Sequence, residues 1–155
     1  MKKVKDYMHK KIICFKPEDS IFKVAKVLSK KHISGAPVVK NKKVIGMISE
    51  TDIIKFLHIN LPGNDTLTHE PHILSLLLMN LIRDRLKFKQ EVKKISKVKV
   101  KDFMTKLVIS ISPEASLLEA AELMEKYDIT RLPVIENGKL KGIISKSDLI
   151  RALID

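Results

Sequence analysis

The chain has 155 residues, which is enough for one compact domain or for two small domains that share a core, and too few for two large independent domains. Hydrophobic residues make up 45% and charged residues 31% of it, so the composition excludes a disordered protein and favours a soluble globular one. The formal net charge is +12, but the lysines are dispersed along the chain, as on an ordinary solvated surface. Nucleic acid and phosphorylated small molecules are both candidate partners.

The N-terminus and the single cysteine predict the compartment. The N-terminal sequence MKKVKDYMHKK is charged and no long apolar run follows it, so no export signal is predicted. The longest apolar run, residues 73–82, is about half of the roughly 20 residues that a bilayer crossing needs, and it predicts a buried helix face. Cys14 lies in the apolar stretch IICF without a second cysteine, so we expect a small buried side chain. These features predict a cytoplasmic protein with no membrane partner.

The chain contains an internal repeat. Residues 4–8, VKDYM, recur as residues 100–104, VKDFM, and the same offset of 96 residues continues without a gap. Roughly 40% of the aligned positions between residues 4 and 57 are identical, which is too many for chance. We therefore predict a first repeat at residues 1–58, an inserted segment at residues 59–98 and a second repeat at residues 99–155.

Each repeat opens with an extended segment followed by a helix. The extended segments, residues 12–15 and 108–111, run towards a proline, which disfavours helix at the residue before it. Ser20 and Ser116 then occupy helix N-cap positions, and Glu119 completes a capping box with Ser116. Apolar residues at helical spacing follow each cap and predict one buried face on each helix.

Two short strands and a second helix complete each repeat. The strands are predicted at residues 36–40 and 43–48 in the first copy, and at residues 132–136 and 140–144 in the second. The dipeptide Asn137-Gly138 favours a tight hairpin, because both residues tolerate positive φ. Units this small bury too little surface alone, so we expect the copies to pack face to face with pseudo-twofold symmetry. The predicted fold class is α/β in the α+β sense, with the order strand, helix, strand, strand, helix in each copy.

The inserted segment has two parts. About residues 58–71 are rich in turn-forming residues and predict a loop. About residues 72–95 have helical composition and predict an inserted helix between the repeats. His69 and His72 suggest a metal-binding pair, but Pro71 would break the helix that places both imidazoles on one face, so a loop without metal is favoured.

A motif at the end of the last strand of each copy carries the candidate chemistry. The copies read GMISETD and GIISKSD, so Ser49 and Ser145 stand where a helix begins, and Asp52 and Asp148 follow within its first turn. A helix N-terminus favours an anion, and a carboxylate there can accept two hydrogen bonds from adjacent ribose hydroxyls. The same Ser-x-x-Asp pattern is also a capping box, which needs no ligand, so the residues alone leave both interpretations open.

The ordered set of motifs, present twice, resembles a tandem pair of CBS domains. Besides the Ser-x-x-Asp motif, the resemblance is carried by SGAPVV and TRLPVI, each an apolar-Pro-Val strand start, and it covers nearly all of the chain except the inserted segment. It implies a regulatory module that binds AMP, ADP, ATP or a compound of the S-adenosylmethionine type between the repeats. The serine and aspartate of each motif would then hold the ribose.

The resemblance also implies where adenine lies, namely between the first strand and the apolar-proline segment. The residues implied are Ile12, Ile13, Gly35, Ala36 and Pro37 for one site, and Val108, Ile109, Arg131, Leu132 and Pro133 for the other. The alternative for many of these side chains is plain core packing.

The two implied sites differ at one position. Arg131 stands where the first copy has Gly35, and a guanidinium beside a nucleotide cleft can hold a phosphate through two hydrogen bonds. The alternative is a surface arginine paired with a carboxylate. Because Gly35 has no side chain, we expect phosphate recognition to differ between the sites.

Functions of three classes remain compatible with the sequence. It contains no Ser-His-Asp set, phosphate-binding glycine loop or supported pair of catalytic carboxylates, so we expect neither enzymatic activity nor a catalytic cofactor. The leading hypothesis is a sensor of adenosine-containing metabolites. The alternatives are nucleic-acid binding through the basic surface and a ligand-free structural adaptor. The resemblance further implies a homodimer formed through helices and a regulated protein partner of unknown identity.

Overall fold

The computed structural model describes residues 1–60 and 96–155. The predicted inserted helix, with His69, His72 and the apolar run at residues 73–82, lies outside the described residues. Within the two described ranges, no helix combines the length and the hydropathy that crossing a bilayer requires.

After its opening segment, each repeat has the predicted order of helix, strand, strand and helix. In the first repeat, helix α1 spans Val4–Tyr7, α2 Ile21–Lys31, strand β1 Gly35–Lys40, β2 Lys43–Ser49 and helix α3 Glu50–Asn60. In the second repeat, α4 spans Val100–Phe103, α5 Leu117–Lys126, β3 Arg131–Glu136, β4 Lys139–Ser145 and α6 Lys146–Ile154. The four strands match the predicted bounds to within one residue, and α3 runs into the start of the predicted loop. The short helices α1 and α4 are features that the sequence pattern did not indicate.

The first predicted strand of each repeat is reduced to a single bridge. Phe15 pairs with Val38 in parallel. Its N–H donates to the Pro37 carbonyl at 2.9 Å, and its carbonyl accepts from the Val39 N–H at 2.8 Å. The next parallel bond would need an N–H on Pro37, which proline lacks. The second repeat has the same single bridge at Ile111.

The two strand pairs form antiparallel hairpins with the same register. In the second hairpin Asn137 has φ 50° and Gly138 has φ 74°, which confirms the tight turn predicted from this dipeptide. The first hairpin makes the same turn with Asn41 at φ 51° and Lys42 at φ 65°. Lysine has a Cβ and is strained in this region, whereas glycine is not.

The opening segment of the first repeat packs against the second repeat. The Val4 N–H donates to the Ala115 carbonyl at 2.9 Å. His9 and Ile143 exchange two backbone hydrogen bonds, of 2.8 and 3.0 Å. Helix α1 therefore packs as part of the second repeat, although it opens the first repeat in sequence.

The second repeat makes the reciprocal contact with the first. The Val100 N–H donates to the Asp19 carbonyl at 2.8 Å. Met47 and Thr105 exchange two backbone hydrogen bonds, of 2.9 and 2.8 Å. Because each opening segment makes the contacts of its counterpart, the repeats are related by pseudo-twofold symmetry, as predicted.

Two hydrophobic cores result, and each is completed by a valine from the other repeat. Val4 is fully buried in the second repeat's core, and Val100 is fully buried in the first repeat's core. The other core residues are Phe15, Val24, Leu28, Ala36, Val38 and Ile48 in the first repeat, and Ile111, Ala120, Met124, Leu132, Val134 and Ile144 in the second. Burying one valine side chain stabilises the fold by about 1.5 to 3 kcal/mol, so the exchange contributes to the stability of both halves.

Cys14 is exposed, so the prediction of a buried side chain is wrong. Neighbouring side chains of an extended segment point to opposite sides, and Phe15 takes the buried one. The counterpart of Cys14 in the second repeat is Ser110, which is also exposed. The internal alignment therefore already indicated that this position is exposed, because its counterpart is a polar serine.

Candidate ligand clefts

Two clefts lie between the repeats, and they are related by the same offset as the repeats. The first cleft has a volume of about 390 Å³, and its lining includes Ser49 and Asp52 of the first repeat with Thr105, Leu107 and Ile109 of the second. The second cleft has a volume of about 540 Å³, and its lining includes Ser145 of the second repeat with His9, Lys11 and Ile13 of the first. Both volumes are typical of sites for small molecules.

Each cleft combines a helix start from one repeat with an extended segment from the other. Ile13 lies in the cleft that Ser145 lines, and Ile109 lies in the cleft that Ser49 lines. Gly35 lines both clefts. This crossing follows from the exchanged opening segments, which carry residues 9–13 and 105–109 onto the opposite repeat.

Asp52 stabilises the start of α3 and also lines the first cleft. Its Oδ2 accepts hydrogen bonds from the Ser49 N–H at 2.9 Å and from the Ser49 hydroxyl at 3.0 Å, while the Asp52 N–H donates to that hydroxyl at 3.2 Å. The capping-box interpretation is thereby confirmed in this repeat. Its Oδ1 accepts one hydrogen bond, from the Thr105 hydroxyl at 3.0 Å. The half-buried carboxylate therefore keeps acceptor capacity at the cleft wall.

Asp148 shares the motif but has a closed environment. It is only 2% exposed, and it is not among the lining residues of the second cleft. Its Oδ2 accepts from the Ser145 N–H at 2.8 Å and from the Ser145 hydroxyl at 2.7 Å. Its Oδ1 lies 2.8 Å from Nε2 of His9 and accepts from Arg151 at 3.1 Å. The usual acceptor positions of this carboxylate are thus occupied by the protein.

The first backbone amide of each of these helices already has a partner. The Glu50 N–H donates to the Ser34 carbonyl, and the Lys146 N–H donates to the Thr130 carbonyl, both at 2.9 Å. Ser34 and Thr130 each lie directly before the first strand of the hairpin, so these two amides are not free. The first amide of each helix is therefore not available to an anion.

Arg131 lines both clefts. Its guanidinium donates to the Gly35 carbonyl at 2.7 Å and to the Ser34 hydroxyl, so it bridges the two repeats. Burial lowers the pKa of Arg131 from its usual value, while Glu50 and Asp148 act in the opposite direction. At Gly35 a Cβ would lie 2.8 Å from a backbone carbonyl of β2, so this position has no room for a matching side chain.

Six residues implied to contact adenine are not among those that line the clefts. They are Ile12, Ala36, Pro37, Val108, Leu132 and Pro133. Ala36 and Leu132 belong to the two cores, where the core-packing alternative describes them. A role of these six residues in adenine binding stays a prediction.

The clefts also contain polar residues that the motifs did not single out, above all Thr105, His9 and Lys11. They follow the repeated VKD(Y/F)M segment, and the internal alignment pairs His9 with Thr105 and Lys11 with Leu107. This charge difference was available in the sequence, but the side of the molecule on which it lies was not. Within residues 1–60 and 96–155, no group of three or more His, Cys, Asp or Glu could hold a metal ion.

The family model of the CBS domain matches residues 4–59 and 100–155. The chain is 38% identical over 153 residues to the uncharacterized protein MJ1426 of Methanocaldococcus jannaschii, covering 97% of this chain and 90% of that protein. It spans between 21% and 46% of the length of seven further curated relatives.

Solved structures share the two-repeat fold. The CBS domain pair of protein MJ0100, in complex with 5′-methylthioadenosine and S-adenosyl-L-methionine, matches with a TM-score of 0.71 at 24% identity, over 98% of this chain and 99% of that chain. CBSX2, in complex with AMP, matches with a TM-score of 0.71 at 23% identity, over 99% of this chain and 97% of that chain. The chain, with a CBS domain in each of its two repeats, belongs to the CBS domain family.

Proposed function

We propose that the chain is a non-catalytic regulatory module that senses AMP, ADP, ATP or a compound of the S-adenosylmethionine type between its CBS repeats. The observation that carries the proposal is the Asp52 carboxylate at the wall of the first cleft, where Oδ1 accepts from the Thr105 hydroxyl at 3.0 Å. A carboxylate in this position can accept hydrogen bonds from ribose hydroxyls. The CBS domain pair of MJ0100 holds 5′-methylthioadenosine and S-adenosyl-L-methionine, and CBSX2 holds AMP, which supports a ligand of this class.

The apolar side chains of the first cleft suit a purine base. Leu107 and Ile109 lie on the wall that the second repeat contributes, and Met47 lies on the wall from the first. Leu107 is 70% exposed, which is high for a leucine, and a bound base would remove part of it from water. The cleft thus offers apolar surface to a base and a carboxylate to a sugar.

Regulation requires that the ligand favour one arrangement of the repeats over another. Arg131 donates across the repeats to Gly35 and Ser34, so a ligand group that attracts the guanidinium would alter a contact between the repeats. In our proposal this contact carries the signal to a regulated protein partner in the cytoplasm.

Isothermal titration calorimetry of the full chain with AMP, ADP, ATP, S-adenosylmethionine and 5′-methylthioadenosine tests the proposal. We expect at least one of these compounds to bind, and Asp52→Asn to weaken that binding about tenfold, because a charge-assisted hydrogen bond is lost. Glu136→Gln removes an exposed carboxylate of β3 outside the first cleft and serves as the matched control. Absence of heat with all five compounds at millimolar concentration would contradict the proposal.

Homodimer formation belongs to the same proposal. Large apolar side chains are exposed at equivalent positions of the two repeats, namely Phe22 and Leu118 in α2 and α5, and Ile54 and Ile150 in α3 and α6. Exposed apolar faces of this kind favour association. Sedimentation velocity measures the mass, and a monomer at every concentration tested would contradict this part of the proposal.

The two alternative functions, nucleic-acid binding and a ligand-free structural adaptor, are tested separately. Several lysines are paired with carboxylates on the surface, for example Lys3 and Lys5 with Glu114, which reduces the charge offered to nucleic acid. Gel shifts across a salt series measure what remains, because binding driven by phosphates weakens steeply with salt. A structural adaptor would keep its protein partner after Asp52→Ala, whereas a sensor would lose the ligand dependence of that interaction.

A further inference from the structure

The first cleft is lined by an excess of acidic groups. The carboxylates of Glu50, Asp52 and Asp128 line it, against the cations Lys55 and Arg131. Its formal charge is therefore −1, from three carboxylates and two cations. A highly charged anion such as a triphosphate is disfavoured there, while a neutral or cationic compound is not.

The second cleft has the opposite balance. Its lining contains the cations Lys11, Arg131 and Lys146 and the imidazoles of His9 and His32, and it includes no carboxylate among the described residues. With neutral imidazoles the formal charge of its lining is +3, and counting the buried Asp148 carboxylate 2.8 Å from His9 leaves the region at +2. The two clefts share Arg131, so the difference of four charges comes from the other side chains.

The means of holding a sugar differs as well. Asp52 keeps acceptor capacity in the first cleft, whereas Asp148 is buried and bonded to Ser145, His9 and Arg151. A ligand in the second cleft therefore gains its affinity mainly from the cations that line it. Phosphate groups match such cations, and lysine and arginine are common phosphate partners.

We infer, building on the proposed function, that the two clefts sort adenosine compounds by charge. The second cleft takes a phosphorylated compound through Lys11, Lys146 and Arg131. The first cleft takes an uncharged or cationic one, such as a thioether or a sulfonium nucleoside, through Asp52. The chain thereby compares two classes of ligand, and Arg131 lies between them.

Calorimetry with ATP and with 5′-methylthioadenosine tests the inference on the full chain and its variants. We expect K11E/K146E to weaken ATP binding about tenfold or more and to leave 5′-methylthioadenosine unchanged. We expect D52N to have the reverse selectivity. Raising salt from about 50 mM to about 500 mM should weaken only the ATP interaction, since screening acts on the charged ligand. The double variant K10E/K139E alters exposed lysines outside both clefts and controls for net charge.

The outcomes separate this inference from the function on which it rests. Loss of both ligands in D52N, with no effect of K11E/K146E, would place both in one cleft and overturn the sorting while leaving the sensor function intact. Equal weakening of ATP by K10E/K139E and K11E/K146E would reduce the effect to overall charge and overturn it too. Failure of every adenosine compound to bind the unaltered chain would remove the sensor function itself.

A second, independent observation concerns the outer faces of α2 and α5. On α2 the exposed residues Phe22, Lys26 and Lys30 share one helical face. On α5 the equivalent positions carry Leu118, Glu122 and Lys126, and Glu125 lies directly before Lys126. Helix α2 contains four lysines and no acidic residue, while α5 contains three glutamates and one lysine. The apolar residue thus has a lysine one turn further along in the first repeat and a glutamate in the second, on a helix that is basic in one repeat and acidic overall in the other.

We propose that a second copy of the chain covers these faces in an antiparallel arrangement, with the first repeat of one copy on the second repeat of the other. A twofold axis then brings α2 of each copy to α5 of the other, and both contacts unite lysines with glutamates. The parallel arrangement would place lysines against lysines and glutamates against glutamates, which is unfavourable.

Sedimentation of charge-reversed variants tests the orientation. K26E/K30E and E122K/E125K should each weaken the antiparallel dimer about tenfold, and the combination of all four changes should restore it. An unchanged dimer in both double variants would support the parallel arrangement and overturn this one. A monomeric unaltered chain whose Lys26 and Lys30 instead bind nucleic acid in gel shifts would also overturn it.

Discussion

Asp52 and Asp148 occupy the same place in the two copies of one motif, yet only Asp52 lines a cleft. Asp52 shares Oδ1 with a threonine hydroxyl, whereas Asp148 shares it with an imidazole and a guanidinium and is 2% exposed. The difference comes from the opposite repeat, which presents Thr105 in one cleft and His9 in the other. A duplicated motif therefore does not make a duplicated site, because the exchanged segments decide what each carboxylate meets.

Substitution of the valines that the two repeats exchange should have the largest effect on the free energy of unfolding. The effect should be equal for Val4 and Val100. Val4→Asp and Val100→Asp each place a charge where the valine is 0% exposed, and each should lower the free energy of unfolding by about 4 kcal/mol or more. Val4→Ala and Val100→Ala, at about 2 kcal/mol each, keep the measurement possible if the aspartate variants do not fold.

Urea unfolding followed by circular dichroism measures these losses, with Lys10→Asp on the exposed surface as the control. A marked inequality between the Val4 and Val100 variants would break the symmetry that we infer for the cores.

The second largest effect should be a difference in stability between the variants of Asp148 and Asp52. Asp148→Ala removes a carboxylate that accepts hydrogen bonds from three residues, and we expect a loss of about 2 to 3 kcal/mol in stability. Asp52→Ala should cost about 1 kcal/mol, as for the loss of a helix cap. Chemical denaturation compares both variants with Ser147→Ala, an exposed neighbour. Equal losses would mean that the closed environment of Asp148 does not matter in solution.

Substitutions in the two hairpin turns should have smaller effects on stability, and these effects should be of opposite sign. Lys42→Gly should stabilise the protein by about 1 kcal/mol, because φ is 65° there and glycine has no Cβ to strain. Gly138→Lys should destabilise it by about the same amount, since φ is 74° at that residue. Thermal melts of both variants measure the shifts. Destabilisation by Lys42→Gly would indicate that the lysine makes a compensating contact.

The smallest effect concerns acid stability. Hydrogen bonds from Lys101 and then Lys99 lower the pKa of Glu18 from 4.5 to about 2. In the other repeat, Lys3 and then Lys5 lower the pKa of Glu114 from 4.5 to about 2. Because the folded pKa lies below the ordinary one, each pair stabilises the fold above pH 4.5 and loses that contribution as the pH falls towards 2.

Glu18→Gln and Glu114→Gln should therefore each make stability slightly less dependent on pH between about 4.5 and about 2. The change is small because the pairs are exposed and screened by solvent and salt. Acid titration followed by circular dichroism measures it. A pH dependence that is identical in both variants and in the unaltered chain would show that these pairs do not couple to folding.

Local features of the fold followed from the sequence. The strand bounds and the second hairpin turn could be predicted because glycine, asparagine and proline act on their own neighbourhood. The capping box of Ser116 and Glu119 is present for the same reason, with the Ser116 N–H donating to Glu119 at 2.7 Å. The reduction of the first strand could have been inferred too, since Pro37 has no N–H to extend a parallel ladder.

The clefts could be predicted only in part. Ser49, Asp52, Ser145 and Arg131 line them, as the motifs suggested, but the closure of Asp148 depends on His9, which is 139 residues away in sequence. Hydrophobic periodicity reports which side of an element is buried and not which element covers it. The contacts between distant elements determine which side chains line each cleft. These contacts cannot be predicted from the local patterns of a single sequence.

The exchanged helices have a consequence for how such a chain can exist at all. A single unit of this kind lacks one valine of its own core and holds another that has no core to enter. It could complete its hydrophobic core only by packing against a second unit, whether or not the two belong to one chain. We therefore expect two fragments of this chain, residues 1–60 and 96–155, to associate when they are mixed, because each supplies the valine that the core of the other lacks.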